Sequence, residues 1–268
     1  MSQKDLYLFA NWKMYLGYDE SNILANALAS RAKKISPRVR LAIFPNALSL
    51  YPAGQVLRDV SIAVGAQNFY WLDRGGYTGE MSAAMFKEAG CQYALVGHSE
   101  RRHVFNESNH DVRQKLEAAL AAGLIPVLCV GETAGQRKKG ETEEAVETQL
   151  RSALSKLRLN GKKEIFIAYE PVWAISSSGS GQACSPVEAE RMQNYIAKLA
   201  KALLPTAKIK ILYGGSVRET NVADFLSQPN CDGALVGHAS TILKSWLGII
   251  EAATSPRRGE AKAGKTRS

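Results

Sequence analysis

Apolar residues fall along the chain in short runs, Leu6–Trp12, Val39–Phe44, Ile62–Ala66, Tyr93–Val96, Ile125–Val130, Ile165–Tyr169, Ile209–Tyr213 and Ala234–Val236. Runs of this length predict buried strands. Between them the spacing turns helical. From Glu143 to Leu159, for example, Val146, Leu150, Ala153, Leu154 and Leu157 recur every three or four residues. Strict alternation of strand and helix predicts parallel strands joined by right-handed crossovers. Eight such units in about 250 residues fit a single closed (β/α)8 barrel, whereas an open doubly wound sheet usually has fewer strands and often a dinucleotide loop after the first. No Gly-x-Gly-x-x-Gly follows Leu6–Trp12.

Composition adds bounds. The 268 residues, 46% hydrophobic and 22% charged, suit one large globular domain, here residues 1–253. No apolar stretch approaches the ~20 residues of a membrane-spanning helix, and MSQKDLYLFANWK has no signal-peptide pattern, so a cytoplasmic protein without membrane contact is expected. Cys91, Cys129, Cys184 and Cys231 form no Cys-x-x-Cys pair and are expected as packed, reduced thiols. The net charge of +9 is uneven: residues 254–268 carry five Lys/Arg against one Glu. That basic tail lacks apolar periodicity and is expected to be disordered. The charge left on the barrel fits a small anionic substrate, and nucleic acid is not an expected partner.

In such a barrel, chemistry belongs to the carboxyl ends of the strands. Those ends carry Asn11 and Lys13, His98 with Glu100, Glu170, Gly214-Gly215-Ser216 and Gly237-His238. Glycine turns after two adjacent strands leave backbone N–H groups open to an anion, the pattern of a phosphate cradle. Ser99 is placed to cap a short helix behind His98. A carboxylate base, a carbonyl-polarising imidazole and a lysine for oxyanion charge are equipment for proton abstraction beside a carbonyl, and so for aldose–ketose isomerisation. His98 and His103 lack metal-ligand spacing, and no cofactor is implied.

At these residues the chain resembles the triosephosphate isomerase family, from about Leu6 to Ala253. The resemblance rests on Asn11-Trp12-Lys13, Gly97-His98-Ser99-Glu100-Arg101-Arg102, Ala168-Tyr169-Glu170-Pro171-Val172-Trp173-Ala174-Ile175 and Tyr213-Gly214-Gly215-Ser216-Val217. It implies a TIM barrel that interconverts dihydroxyacetone phosphate and glyceraldehyde 3-phosphate. Glu170 would be the proton acceptor, and His98 the electrophile, kept neutral at a helix N-terminus. Glu100 would be a supporting carboxylate, and Asn11, Lys13, Ser216, Gly237 and His238 substrate contacts. Pro171-Val172-Trp173 would hinge a mobile lid.

Two features depart from the family pattern. Ser176-Ser177-Ser178-Gly179-Ser180-Gly181-Gln182 makes the lid three residues longer, with Gly179, or else Ser176, giving the phosphate an N–H. His238 stands where a second glycine is common, and a position requiring positive φ would penalise it. The resemblance also implies a homodimer in which the aromatic-rich 67–80 loop enters a neighbouring subunit, with Thr78 at its tip. A four-carbon ketose phosphate, admitted by the longer lid, is an alternative substrate. A non-catalytic sugar-phosphate-binding barrel is another reading, though it needs no such set as Asn11, Lys13, His98 and Glu170.

Overall fold

The computed structural model describes residues 4–159, 161, 163–175 and 183–255. Its strands are β1 (Leu6–Asn11), β2 (Val39–Phe44), β3 (Ala63–Ala66), β4 (Tyr93–Val96), β5 (Ile125–Val130), β6 (Glu164–Tyr169), β7 (Lys208–Tyr213) and β8 (Gly233–Val236). They are parallel and close in chain order, β1 pairing with β2 through Leu6 opposite Val39 and with β8 through Tyr7 opposite Gly233. One or two helices follow each strand: α1 (Tyr18–Ala29), α2 (Ala47–Leu57), α3 (Ala83–Glu88), α4 (Ser99–His103), α5 (Asn109–Ala121), α6 (Ala134–Lys138), α7 (Thr142–Leu154), α8 (Pro186–Leu203), α9 (Val222–Leu226) and α10 (Leu243–Thr254). The chain is a single (β/α)8 barrel. Among the described residues, no helix is long and apolar enough to cross a membrane.

The alternation of side chains along β1 shows how the layers form. Tyr7 and Phe9 join the cluster that fills the barrel, with Phe44, Tyr93, Phe166 and Leu235, while Leu8 and Ala10 belong to the layer between strands and helices. Both faces are therefore dry, and the strand reads as an apolar run without alternation. Phe166 lies at the centre, its ring centroid 4.8 Å from Tyr7, 5.1 Å from Phe9 and 5.7 Å from Tyr93.

Strand boundaries agree with expectation to within a residue. The helix expected from Glu143 to Leu159 instead ends at Leu154. Ser155 is extended, Lys156 takes a left-handed φ of 66°, and the Arg113 guanidinium from α5 donates to the carbonyls of Ala153 and Ser155. Leu157 still packs on the core, which is why its spacing mimicked another helical turn. At the other end, α10 runs through Thr254, one residue into the expected tail. The remainder of that tail, from residue 256, lies outside the described residues.

Candidate active site

The carboxyl ends of the strands share one mouth, where Asn11, Lys13, His98, Glu170, Gly214, Gly215, Ser216, Gly237 and His238 line a cleft of about 310 Å³. Glu170 sits just beyond β6 and is only 2% exposed. Its amide donates to Val130 O on β5 (2.8 Å), while its carboxylate accepts from the Ser99 amide (2.9 Å, Oε2) and lies 3.2 Å from His98 Nε2 (Oε1). Gly214 makes room for it: a Cβ there would stand 2.7 Å from Glu170 Cγ.

His98, rather than Ser99, is the N-cap of α4. Its Nδ1 accepts from the Glu100 amide at 3.3 Å, and Ser99 is already helical, with its own amide turned to Glu170. Because Nδ1 accepts, a neutral ring carries its proton on Nε2, the nitrogen that faces Glu170. The turn needs glycine at position 97, where φ is +70°. Glu170 also has the Cys129 thiol close by, which burial and the adjacent carboxylate keep protonated by pushing its pKa well up.

Lys13 follows β1 in a left-handed conformation, φ 50°, that costs an ordinary residue about 1–2 kcal/mol. Side chains hold it there. The Asn11 amide oxygen accepts from Lys13 N (3.1 Å), and Gln67 Nε2, just past β3, donates to Lys13 O (2.9 Å) and Phe44 O (2.8 Å). The ammonium reaches Glu100 Oε1 at 2.7 Å. Across the cleft, Ser216 Oγ donates to Ala174 O at 2.8 Å, tying the turn after β7 to the segment that follows Glu170. Gly237 precedes a short 3-10 turn, His238–Thr241. His238 is exposed, lies edge-on to Tyr15 at 5.0 Å and is not among the positive-φ residues, so the histidine is accommodated without backbone strain. Ser176 and Gly179 lie outside the described residues.

The expected residues that are described thus meet at one mouth, and the structure adds others that the sequence reading passed over. Glu132, beyond β5, is fully buried and accepts from Trp173 Nε1 (2.6 Å) and Tyr169 OH (3.1 Å). Burial raises its pKa against those hydrogen bonds. The Arg137 guanidinium stacks 3.7 Å over the Trp173 ring and pairs with Glu188 at 2.6 Å, so the segment after Glu170 is anchored at the indole's N–H edge and on one face of its ring. The rule that nominated the other strand ends applies equally to Gln67, which directly follows β3, and to Glu132, two residues past β5.

A closed parallel barrel with its polar residues gathered at the strand carboxyl ends has the layout of a (β/α)8-barrel enzyme. The family model for triosephosphate isomerase matches residues 6–253, and the chain belongs to that family. It is 40% identical over 245 residues to a triosephosphate isomerase of Dictyoglomus thermophilum, covering 90% of this chain and 97% of the relative. A triosephosphate isomerase of Dehalococcoides mccartyi is 42% identical over 253 residues (93% and 97%). One of Rhodopirellula baltica is 40% identical over 258 residues (95% and 100%).

Proposed function

We propose that the chain interconverts dihydroxyacetone phosphate and D-glyceraldehyde 3-phosphate, with Glu170 as base, His98 as electrophile and Lys13 and Asn11 at the oxyanion. The observation that carries these roles is the 3.2 Å approach of His98 Nε2 to the Glu170 carboxylate, in a cleft that Gly214, Gly215 and Gly237 also line. Glu170 takes the proton from the carbon beside the carbonyl. The released electron pair forms the enediolate, whose oxygens take hydrogen bonds from His98 and charge from Lys13. Protonated Glu170 then returns a proton to the neighbouring carbon. The buried carboxylate is poised for this because its partners are neutral donors, the Ser99 amide and the imidazole, which a substrate can exchange. Glu100 keeps the Lys13 ammonium at the cleft until substrate arrives. Amides around Ser216, Gly237 and His238, with one from Gly179 on the lid, receive the phosphate.

The working unit in this reading is a homodimer built through the 67–80 loop, and the reaction belongs to cytoplasmic glycolysis and gluconeogenesis. Four free, buried cysteines suit a reducing compartment. The catalytic domain in this reading runs from residue 1 to the end of α10 at Thr254, and the basic residues beyond it form an appended tail.

A coupled assay of glyceraldehyde 3-phosphate conversion tests the reading. Glu170→Gln removes the base with little change of shape and is expected to lower kcat by about 10²–10⁴-fold, the usual contribution of a general base. Parent activity that is absent, or that survives in Glu170→Gln, would sink it.

A further inference from the structure

We propose that Arg102 is a positioning residue for the proton-transfer pair, its guanidinium locking the ends of β4 and β5 in the geometry that aims His98 and Ser99 at Glu170. The inference rests on the roles assigned above to Glu170 and His98. Arg102 sits on α4 and is mostly buried. Its Nε donates to Gly97 O at 2.7 Å, its Nη1 to Asn109 Oδ1 at 2.7 Å and its Nη2 to Cys129 O at 3.4 Å. Gly97 immediately precedes His98. Cys129 is the penultimate residue of β5, whose last carbonyl, on Val130, accepts the Glu170 amide. One planar group therefore ties the turn that carries the imidazole and the Ser99 amide to the strand that holds the backbone of the base.

The local sequence is shaped around this group. Gly97 needs glycine for its φ, and a Cβ there would also lie 2.7 Å from Arg102 Nη2 and 3.0 Å from Val112 Cγ2. The guanidinium fills the space left by the missing side chain. Its three donors point in fixed directions, a fork that lysine cannot reproduce. Among the described residues Arg102 makes no ion pair, and its direct partners are neutral oxygens. The carboxylates acting on it through space are Glu107 and Glu170. A cation is thus spent behind the buried base, on backbone carbonyls rather than on a carboxylate.

Reaction rates fall steeply when reacting groups are displaced, about 100-fold for a 1 Å misplacement. The test uses the full chain, with kcat and KM for glyceraldehyde 3-phosphate and the ¹⁵N resonances of the His98 ring. Arg102→Lys keeps the charge and loses the fork, and Arg102→Met loses both. Each is expected to lower kcat by about 10- to 100-fold. KM should change far less, because the glycine turns after β7 and β8 make no contact with Arg102, and the His98 Nε2 resonance should move. Asn109→Ala, which frees only Nη1, should lower kcat by a smaller factor. A merely structural Arg102 would lower the melting temperature while the folded fraction kept the parent kcat and His98 resonance, and that result overturns the proposal. If the Arg102 variants fail to fold, Asn109→Ala decides: parent kcat and resonance overturn it as well. Activity that is sensitive to Glu170→Gln but not to these variants refutes Arg102 alone, whereas activity insensitive to Glu170→Gln refutes both.

Discussion

Glu107 holds two cations on one oxygen: its Oε2 accepts from Arg101 Nε at 2.6 Å and from Lys115 Nζ at 2.5 Å, with Glu107 7% exposed and Lys115 5% exposed. Burial pushes the Glu107 pKa up, but the hydrogen bonds and charges of Lys115 and Arg101 outweigh it and hold the carboxyl below its usual 4.5. For a carboxylate with a depressed folded pKa, the stabilisation is fully present above the unfolded value and is lost as pH falls through the folded one. Melting temperatures measured from pH 6 down to pH 3 should therefore fall more steeply for the parent than for Glu107→Gln, the difference opening below about pH 4.5. At neutral pH, Glu107→Ala leaves the Lys115 ammonium buried without its carboxylate and should cost about 3–5 kcal/mol in denaturant unfolding. None of this was legible in the sequence, since Glu107, Lys115 and Arg101 look like ordinary surface charges until the fold buries them. Glu170, His98 and Lys13 were legible because each adjoins a recognisable strand. Arg102 was not, because it acts on main-chain carbonyls, which have no side-chain signature.

The strands were the most legible elements, and for a physical reason: burial on both faces removes polar residues from them altogether. Phe166 tests that account. It is fully buried among three other aromatic rings, so Phe166→Ala should cost about 3–5 kcal/mol of unfolding free energy, through lost transfer energy and a cavity the rigid barrel cannot close. A loss near 1 kcal/mol would mean that the barrel interior repacks freely. Helix ends were less legible, because conformation rather than polarity sets them, as Ser155 and Lys156 show for α7. The 171–173 segment is a further element with a checkable anchor. Replacing Glu132 with Leu removes the acceptor that Trp173 Nε1 and Tyr169 OH share inside the protein, and thermal melts should register about 1–3 kcal/mol. Glu132→Gln, which keeps an acceptor, should recover part of that loss.

At the scale of the whole molecule, exposed apolar side chains gather on one surface, beside the mouth of the barrel. Phe69 folds into its own core at 1% exposure, but beyond it the 67–80 loop stands out from the barrel, with Leu72 42% and Tyr77 41% exposed. Tyr70 braces the loop by stacking on Trp71 at 4.1 Å and meeting Tyr77 at 4.7 Å, so the aromatic rings are held in a fixed shape. Beside the candidate active site runs a groove of about 320 Å³ lined by Met14, Met81, Phe86 and Phe105, and it shares Asn11, Lys13 and His98 with the cleft at the strand ends. Met14 is 95% exposed and Phe105 64%. Exposed apolar side chains beside a preformed groove are what the proposed homodimer would bury. In the homodimer proposed above, the exchanged loop would meet the groove that Asn11, Lys13 and His98 also line, so assembly and activity should be lost together. Trp71→Asp with Tyr77→Asp places two charges in that contact, where desolvation is costly. Sedimentation should then give a monomer in place of a dimer, with kcat falling in step with the dimer fraction. An unchanged sedimentation mass would remove the 67–80 loop from the interface, and a fully active monomer would show that each barrel holds Lys13 and His98 by itself.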